Sequence, residues 1–301
     1  MREIRPFFIL GNPRSGTTML RLMLTCHPSM SVAPECGFVL WLEKEFGDWS
    51  RADCAGSRRD RFVAAVLRCR KFDTWSLDAD WIERSIAARA PRSYAELAAA
   101  VHLAYADKQG RSVPWWGDKN NYHVNHVADL DRLFPDCRFV HIVRDGRDVA
   151  CSYREIADRE DRGVYAPRLP YDIESIAAEW SENVRAVDDR LSAMPERRAL
   201  TIRYEDLVRR PDRELGDVCR LLEVDFDGDM LNFGVENVRL GLEPPELLAW
   251  KARTTQPISA SNVGRYRHVL SETEITAFER AVGGTLTRFG YDAPFQETRV
   301  A

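Results

Sequence analysis

Residues 6–11, PFFILG, form a short apolar run that ends at a glycine and passes directly into NPRSGTT and then TMLRLMLTCH. In the last of these, Met19, Leu20, Met23 and Leu24 recur at helical spacing, which predicts the order strand, glycine-bearing loop, helix. The same alternation returns later. CRFVHIVRD at 137–145 is a second apolar run, preceded by a helical stretch (VNHVADLDRLF) that Pro135 closes; RALTIRYEDL is a third, ahead of a helix beginning near Pro211. Strands alternating with helices predict an α/β fold, a mainly parallel sheet flanked by helices. The runs are too dense in apolar residues for period-two alternation, as expected of strands covered on both faces.

A chain of 301 residues is long enough for one large core with insertions, and a single domain over 1–301 is expected. Residues 36–116 differ from the rest. They hold six of the eight tryptophans (Trp41, Trp49, Trp75, Trp81, Trp115, Trp116) among Arg-rich and Ala-rich helical stretches with no clear strand, and read as a helical insertion. These aromatics serve either ordinary helix packing or a lid over a binding site. Ser271 and Glu274 have capping-box spacing and Gly290 suits a helix stop, predicting a terminal helix over 272–288.

Lys plus Arg number 43 against 47 Asp plus Glu, a formal net charge of −4. That balance is wrong for a polyanion binder, so no nucleic-acid partner is expected and any phosphate site must be local. The seven cysteines (26, 36, 54, 69, 137, 151 and 219) are scattered, odd in number and free of CxxC pairs, which fits a reduced, cytoplasmic setting. No apolar run approaches the roughly 18 residues a membrane helix needs, so neither a membrane span nor a targeting segment is expected.

Gly11-Asn12-Pro13-Arg14-Ser15-Gly16-Thr17-Thr18 has the outline of the phosphate loop GxxxxGK[ST], with Thr17 where the lysine should stand. Backbone amides and the positive end of the following helix can still cradle an anion. What is lost is the cation on the β and γ phosphates that a kinase depends on. Arg14 offers a different one, a planar fork suited to two oxyanion oxygens. The second run ends Val143-Arg144-Asp145, placing Arg144 at the ligand-binding end of a parallel strand, with Arg147 and Ser152 on the turn and early helix behind it. Such a cluster either binds a phosphate or, since Asp145 and Asp148 alternate with the arginines, forms a surface ion-pair network.

These residues carry a resemblance. The segment GNPRSGTTMLR resembles the 5′-phosphosulfate loop of sulfotransferases that use 3′-phosphoadenosine 5′-phosphosulfate (PAPS), in the PRSGTT branch that includes the tyrosylprotein sulfotransferases. FVHIVRDGRDVACSY resembles the same family's 3′-phosphate motif, an arginine and a serine eight residues on, here Arg144 and Ser152. GDK at 117–119, RYEDL at 203–207 and SNVGRYR at 261–267 match more weakly, so the likeness spans roughly 6–270.

The resemblance implies sulfuryl transfer from PAPS, with PAP as product, to a hydroxyl acceptor that is a small molecule, a glycan or a peptide. Arg14, Ser15, Gly16, Thr17 and Thr18 would hold the 5′-phosphosulfate, and Arg144 and Ser152 the 3′-phosphate. Tyr204 would contact the nucleotide, and Ser261, Gly264 and Arg265 would form the closing C-terminal segment. Lys119 is a candidate second cation on the sulfuryl oxygens, and its other reading is a solvated lysine. Glu35, 21 residues after Arg14, falls where the tyrosylprotein branch carries its base, and aromatic shielding would raise its pKa toward neutrality. No metal is required; His123 and His126 are three apart but lack an evident third ligand. A kinase with an unusual phosphate loop and a catalytically inactive PAP-binding module are the alternatives.

Overall fold

The computed structural model describes residues 4–160, 163–248 and 250–292. Five strands, β1 (Arg5–Leu10), β2 (Met30–Val32), β3 (Trp115–Lys119), β4 (Arg138–Val143) and β5 (Ala199–Arg203), form one sheet in the order β2-β3-β1-β4-β5. Every pairing is parallel. The three inner strands are almost wholly buried, as the apolar runs of β1 and β4 predict.

Within those runs the two-residue period still sorts side chains between two layers. Phe7 and Ile9 pack with α1 (Thr17–Cys26) and a later helix at Pro211–Leu221, in a cluster that includes Leu20, Met23, Leu215 and Val218. Phe8 and Leu10 face the opposite way. They join Trp116, Phe139 and the helices between β2 and β3: α2 (Ser57–Arg68), α3 (Ala79–Arg89) and α4 (Tyr94–Lys108). A third cluster, including Val149, Trp180 and Phe278, seats α5 (Gly146–Ala157), α6 (Ile173–Leu191) and α7 (Glu272–Val282) beyond β4.

The helical stretch after β2 ends sooner than 36–116. Trp115 and Trp116 lie on β3, with Trp116 stacked on His102 at 4.3 Å, because the strand is too short to show a pattern against its neighbours. Of the tryptophans that precede it, Trp49 and Trp75 are core residues and Trp41 is exposed. The predicted terminal helix is also shorter. Ser271 and Glu274 form their capping box, but α7 stops at Val282, and Gly283 (φ +53) turns the chain before a second short helix at Thr285–Arg288.

Register fixes where the chemistry falls. Ile9 pairs with Lys119 and Leu10 with His141, so Lys119, the loop after β1 and the loop after β4 all emerge at the C-terminal edge of the sheet. That is the edge at which open parallel sheets bind ligands.

Candidate active site

The loop after β1 turns through two left-handed residues, Arg14 (φ +68) and Gly16 (φ +93). A Cβ on Gly16 would stand 2.6 Å from the Tyr204 ring, so a glycine lets the loop close there. Gly16 precedes α1 without a side-chain cap, and the helix's first turn carries no acidic residue. The amides of that turn and the positive helix end are therefore left to an anion. Thr17 and Thr18 begin the helix and line the cavity in front of it. Ser15 does not. It is fully buried, and its Oγ has no hydrogen-bond partner.

Arg14 donates from Nε to Ser152 Oγ at 3.0 Å and from Nη2 to the Trp250 carbonyl at 3.3 Å. Its own carbonyl accepts from Arg144 Nη1 at 3.1 Å, while Arg144 Nη2 donates to the Asn262 carbonyl at 3.0 Å. Arg144 is buried, lies 4.6 Å over the Tyr204 ring, and keeps its Nε without a partner. Burial, with Arg144 as a neighbouring like charge, pulls the Arg14 guanidinium down to about 10, so it is still a cation at neutral pH. These hydrogen bonds of the two guanidinium groups go to carbonyls and a hydroxyl rather than to carboxylates, an arrangement that can receive an anion.

The two readings of the Arg144 cluster are divided between its members. Arg147 is an ion-pair residue, held by Asp145 at 2.8 Å and Glu279 at 2.6 Å beneath the surface. Asp148 accepts from the backbone N–H groups of Gly264 at 2.7 Å and Tyr266 at 3.0 Å. Gly264 thus anchors its segment to α5 and does not line the cavity, whereas Ser261 and Arg265 do. Arg265 is engaged with Glu155 at 2.7 Å. Tyr204 does not end β5 but opens the short helix Tyr204–Arg209, still against the loop.

Glu35 follows β2 and faces the same cavity, of about 780 Å³, as Arg14, Thr17, Lys119, Arg144 and Ser152. Lys71 Nζ donates to Glu35 Oε2 at 2.9 Å, Lys119 Nζ stands 3.7 Å from the same oxygen, and the Asn121 N–H donates to Oε1 at 3.3 Å. The expected rise in the Glu35 pKa is reversed. Burial does push it up, but Lys119, Lys71 and Lys251 together outweigh burial and hold the carboxyl well below the usual carboxylate range. Lys119 is no solvated lysine. It is 3% exposed, and burial pulls its ammonium down to about 8, with Glu35 working against that. Among the described residues, ten lysines and arginines line the cavity against two glutamates, Glu35 and Glu155, in a chain whose net charge is −4.

The sequence signalled neither Lys71 nor Lys251. Lys71 comes from the helical stretch between α2 and α3, and Lys251 is held by Glu243, which also pairs with the buried Arg21 of α1. No fixed spacing links these positions to Glu35, so only the fold brings them together. His123 and His126 are engaged separately, His123 with Asp118 at 2.9 Å and His126 with Asp129 at 3.0 Å. Asp145, at the place of a kinase's metal-holding acid, is committed to Arg147 and to capping α5.

The model of the sulfotransferase family matches residues 6–228. Protein-tyrosine sulfotransferase A of Caenorhabditis elegans is 20% identical over 289 residues, covering 95% of this chain and 67% of that one. Nodulation protein NoeE of Sinorhizobium fredii is 28% identical over 324 residues, covering 100% and 70%. The match takes in 54%, 56% and 40% of the length of three other curated relatives. Among solved structures, the sulfotransferase domain of the Synechococcus PCC 7002 olefin synthase superposes with a TM-score of 0.63 at 22% identity, covering 98% of each chain, a likeness of fold. No helix among the described residues is long and apolar enough to cross a membrane. Since the family match takes in the anion loop, Lys119 and Arg144 alike, the chain belongs to the sulfotransferase family.

Proposed function

We propose that this enzyme transfers the sulfuryl group of PAPS to a hydroxyl acceptor by in-line displacement. The observation that carries the reading is the convergence of Arg14, Arg144 and Lys119 with Glu35 on one cavity at the C-terminal sheet edge. The unpartnered Arg144 Nε, and the excess of cations on the walls, fit a polyanionic nucleotide. PAPS supplies the activated sulfuryl group, attached to a phosphate that leaves as a stable anion.

Arg14, the α1 amides, Thr17 and Thr18 stabilise charge growing on the 5′-phosphate side, already oriented before reaction. Gly16 and Ser15 keep that loop in shape. Arg144, Ser152, Ser261 and Arg265 take the 3′-phosphate, with Gly264 holding their segment to Asp148 and Tyr204 supporting Arg144 from beneath. Lys119 neutralises the sulfuryl oxygens. As it turns to them it withdraws charge from Glu35, whose proton affinity rises toward what a base requires. Glu35 then takes the acceptor's proton. The kinase alternative has no cation at position 17 and no free acid after β4.

The whole chain acts as one domain, with the helical stretch after β2 forming the acceptor wall through Trp41, Arg70 and Lys71. A peptide, a glycan or a small molecule offers the hydroxyl, and seven unpaired thiols support a reducing, cytoplasmic setting. The test is transfer from labelled PAPS to an acceptor panel, alongside calorimetric binding of PAP and of ATP with Mg²⁺. Glu35→Gln should lose transfer by about 100-fold or more while binding PAP within about threefold of wild type. Retained transfer removes Glu35 as base, and preference for ATP overturns the reading as a whole.

A further inference from the structure

Glu35 is held from three directions. Lys119 approaches from the end of β3, Lys251 from the chain beyond residue 250, where Glu243 commits its ammonium, and Lys71 from the turn after α2. Lys71 is the one lysine at hydrogen-bond distance, 2.9 Å from Oε2. Oε1 is occupied by the Asn121 N–H. An acceptor hydroxyl that gives its proton to Glu35 Oε2 competes there with Lys71, the side chain hydrogen-bonded to that oxygen.

The position of Lys71 is built. Its backbone is left-handed (φ +71), a conformation that non-glycine residues seldom adopt, and its carbonyl is gripped by the Thr74 N–H at 3.1 Å and Thr74 Oγ1 at 2.6 Å. The turn itself is pinned by buried Phe72 and Trp75, stacked at 5.0 Å. Strain maintained beside a carboxylate is a mark of a functional role.

We propose that Lys71 is a positioning residue that governs Glu35: it holds the carboxylate ionised and aimed into the cavity while the acceptor site is empty, and clears it after each turnover. The inference rests on Glu35 being the base. In the transfer, the acceptor oxygen forms its bond to sulfur as the bond from sulfur to the phosphate oxygen breaks, that oxygen keeping the electron pair. The acceptor proton passes to Glu35 Oε2. When the sulfated product leaves, Lys71 returns to Oε2, the carboxylate is again favoured over the acid, and the proton goes to solvent.

The test follows the Glu35 carboxyl by carbon NMR on the full chain with ¹³C-labelled glutamate, its signal assigned by its loss in Glu35→Gln, without acceptor and with PAP present or absent. In Lys71→Met the titration midpoint should rise by at least one unit, a tenfold gain in proton affinity, and Lys71→Arg should restore it. Lys71→Gly should raise the midpoint equally with the turn kept in place, since glycine adopts the left-handed conformation freely. A midpoint unchanged in both the Met and Gly variants overturns the proposal. Retained transfer by Glu35→Gln would instead remove the base while leaving any measured coupling between Lys71 and Glu35 intact.

Discussion

Replacing Arg144 by alanine tests whether this site reads a 3′-phosphate. The side chain meets the Arg14 and Asn262 carbonyls, rests on Tyr204 and holds Nε without a partner. A hydrogen bond to a charged group contributes about 1.5–3 kcal/mol. Losing Arg144 should therefore weaken PAP by about 2–3 kcal/mol, or roughly 30- to 150-fold in Kd. AMP, which has a 5′-phosphate but no 3′-phosphate, should weaken by less than about fivefold, through loosening of the Arg14 loop alone. The assay is calorimetric titration of both ligands into both proteins, giving a cycle whose coupling should exceed about 1 kcal/mol. Equal weakening of PAP and AMP would refute the reasoning and reduce Arg144 to a support for the loop.

Lys119 predicts an alkaline limit. Its folded pKa of about 8 lies below the free-lysine value, so the ammonium is present below that pH and lost above it. The rate constant kcat/KM for PAPS should fall above pH 8, and Lys119→Arg should move that fall beyond pH 10. Between about 8 and 10 the unfolded chain binds more protons than the folded one, so this group makes wild-type stability rise with pH there, a slope the arginine variant should lack in denaturant titrations. Gly16→Ala places a methyl 2.6 Å from the Tyr204 ring at φ +93, and should lower stability by about 1–3 kcal/mol and weaken PAP at least tenfold. Normal PAP binding by that variant would mean that the loop binds without this conformation.

Much of the site was legible because its motifs are local. The glycine loop, Arg14, Arg144 and Ser152 lie within a few residues of strand ends, and a parallel sheet delivers strand ends to one edge. Glu35 was legible as a position but not as a titrating group. Aromatic neighbours suggest a raised pKa, and three lysines from separate parts of the chain reverse it. Arg144 and Arg147 look alike in RDGRD, yet Arg147 turns inward because Glu279, 132 residues away, meets it under α7.

The sequence by itself determined the alternation of strands and helices, the anion loop and the identity of its cation, because apolar periodicity, glycine and a missing lysine act over a few residues. The tertiary structure alone decided which charges surround Glu35, which arginine stays available to a ligand, and which tryptophans are core. The physical reason is range. Backbone geometry and hydrophobic patterning are set by near neighbours, while an electrostatic environment is a sum over whatever the fold brings within a few ångströms, however far apart in the chain.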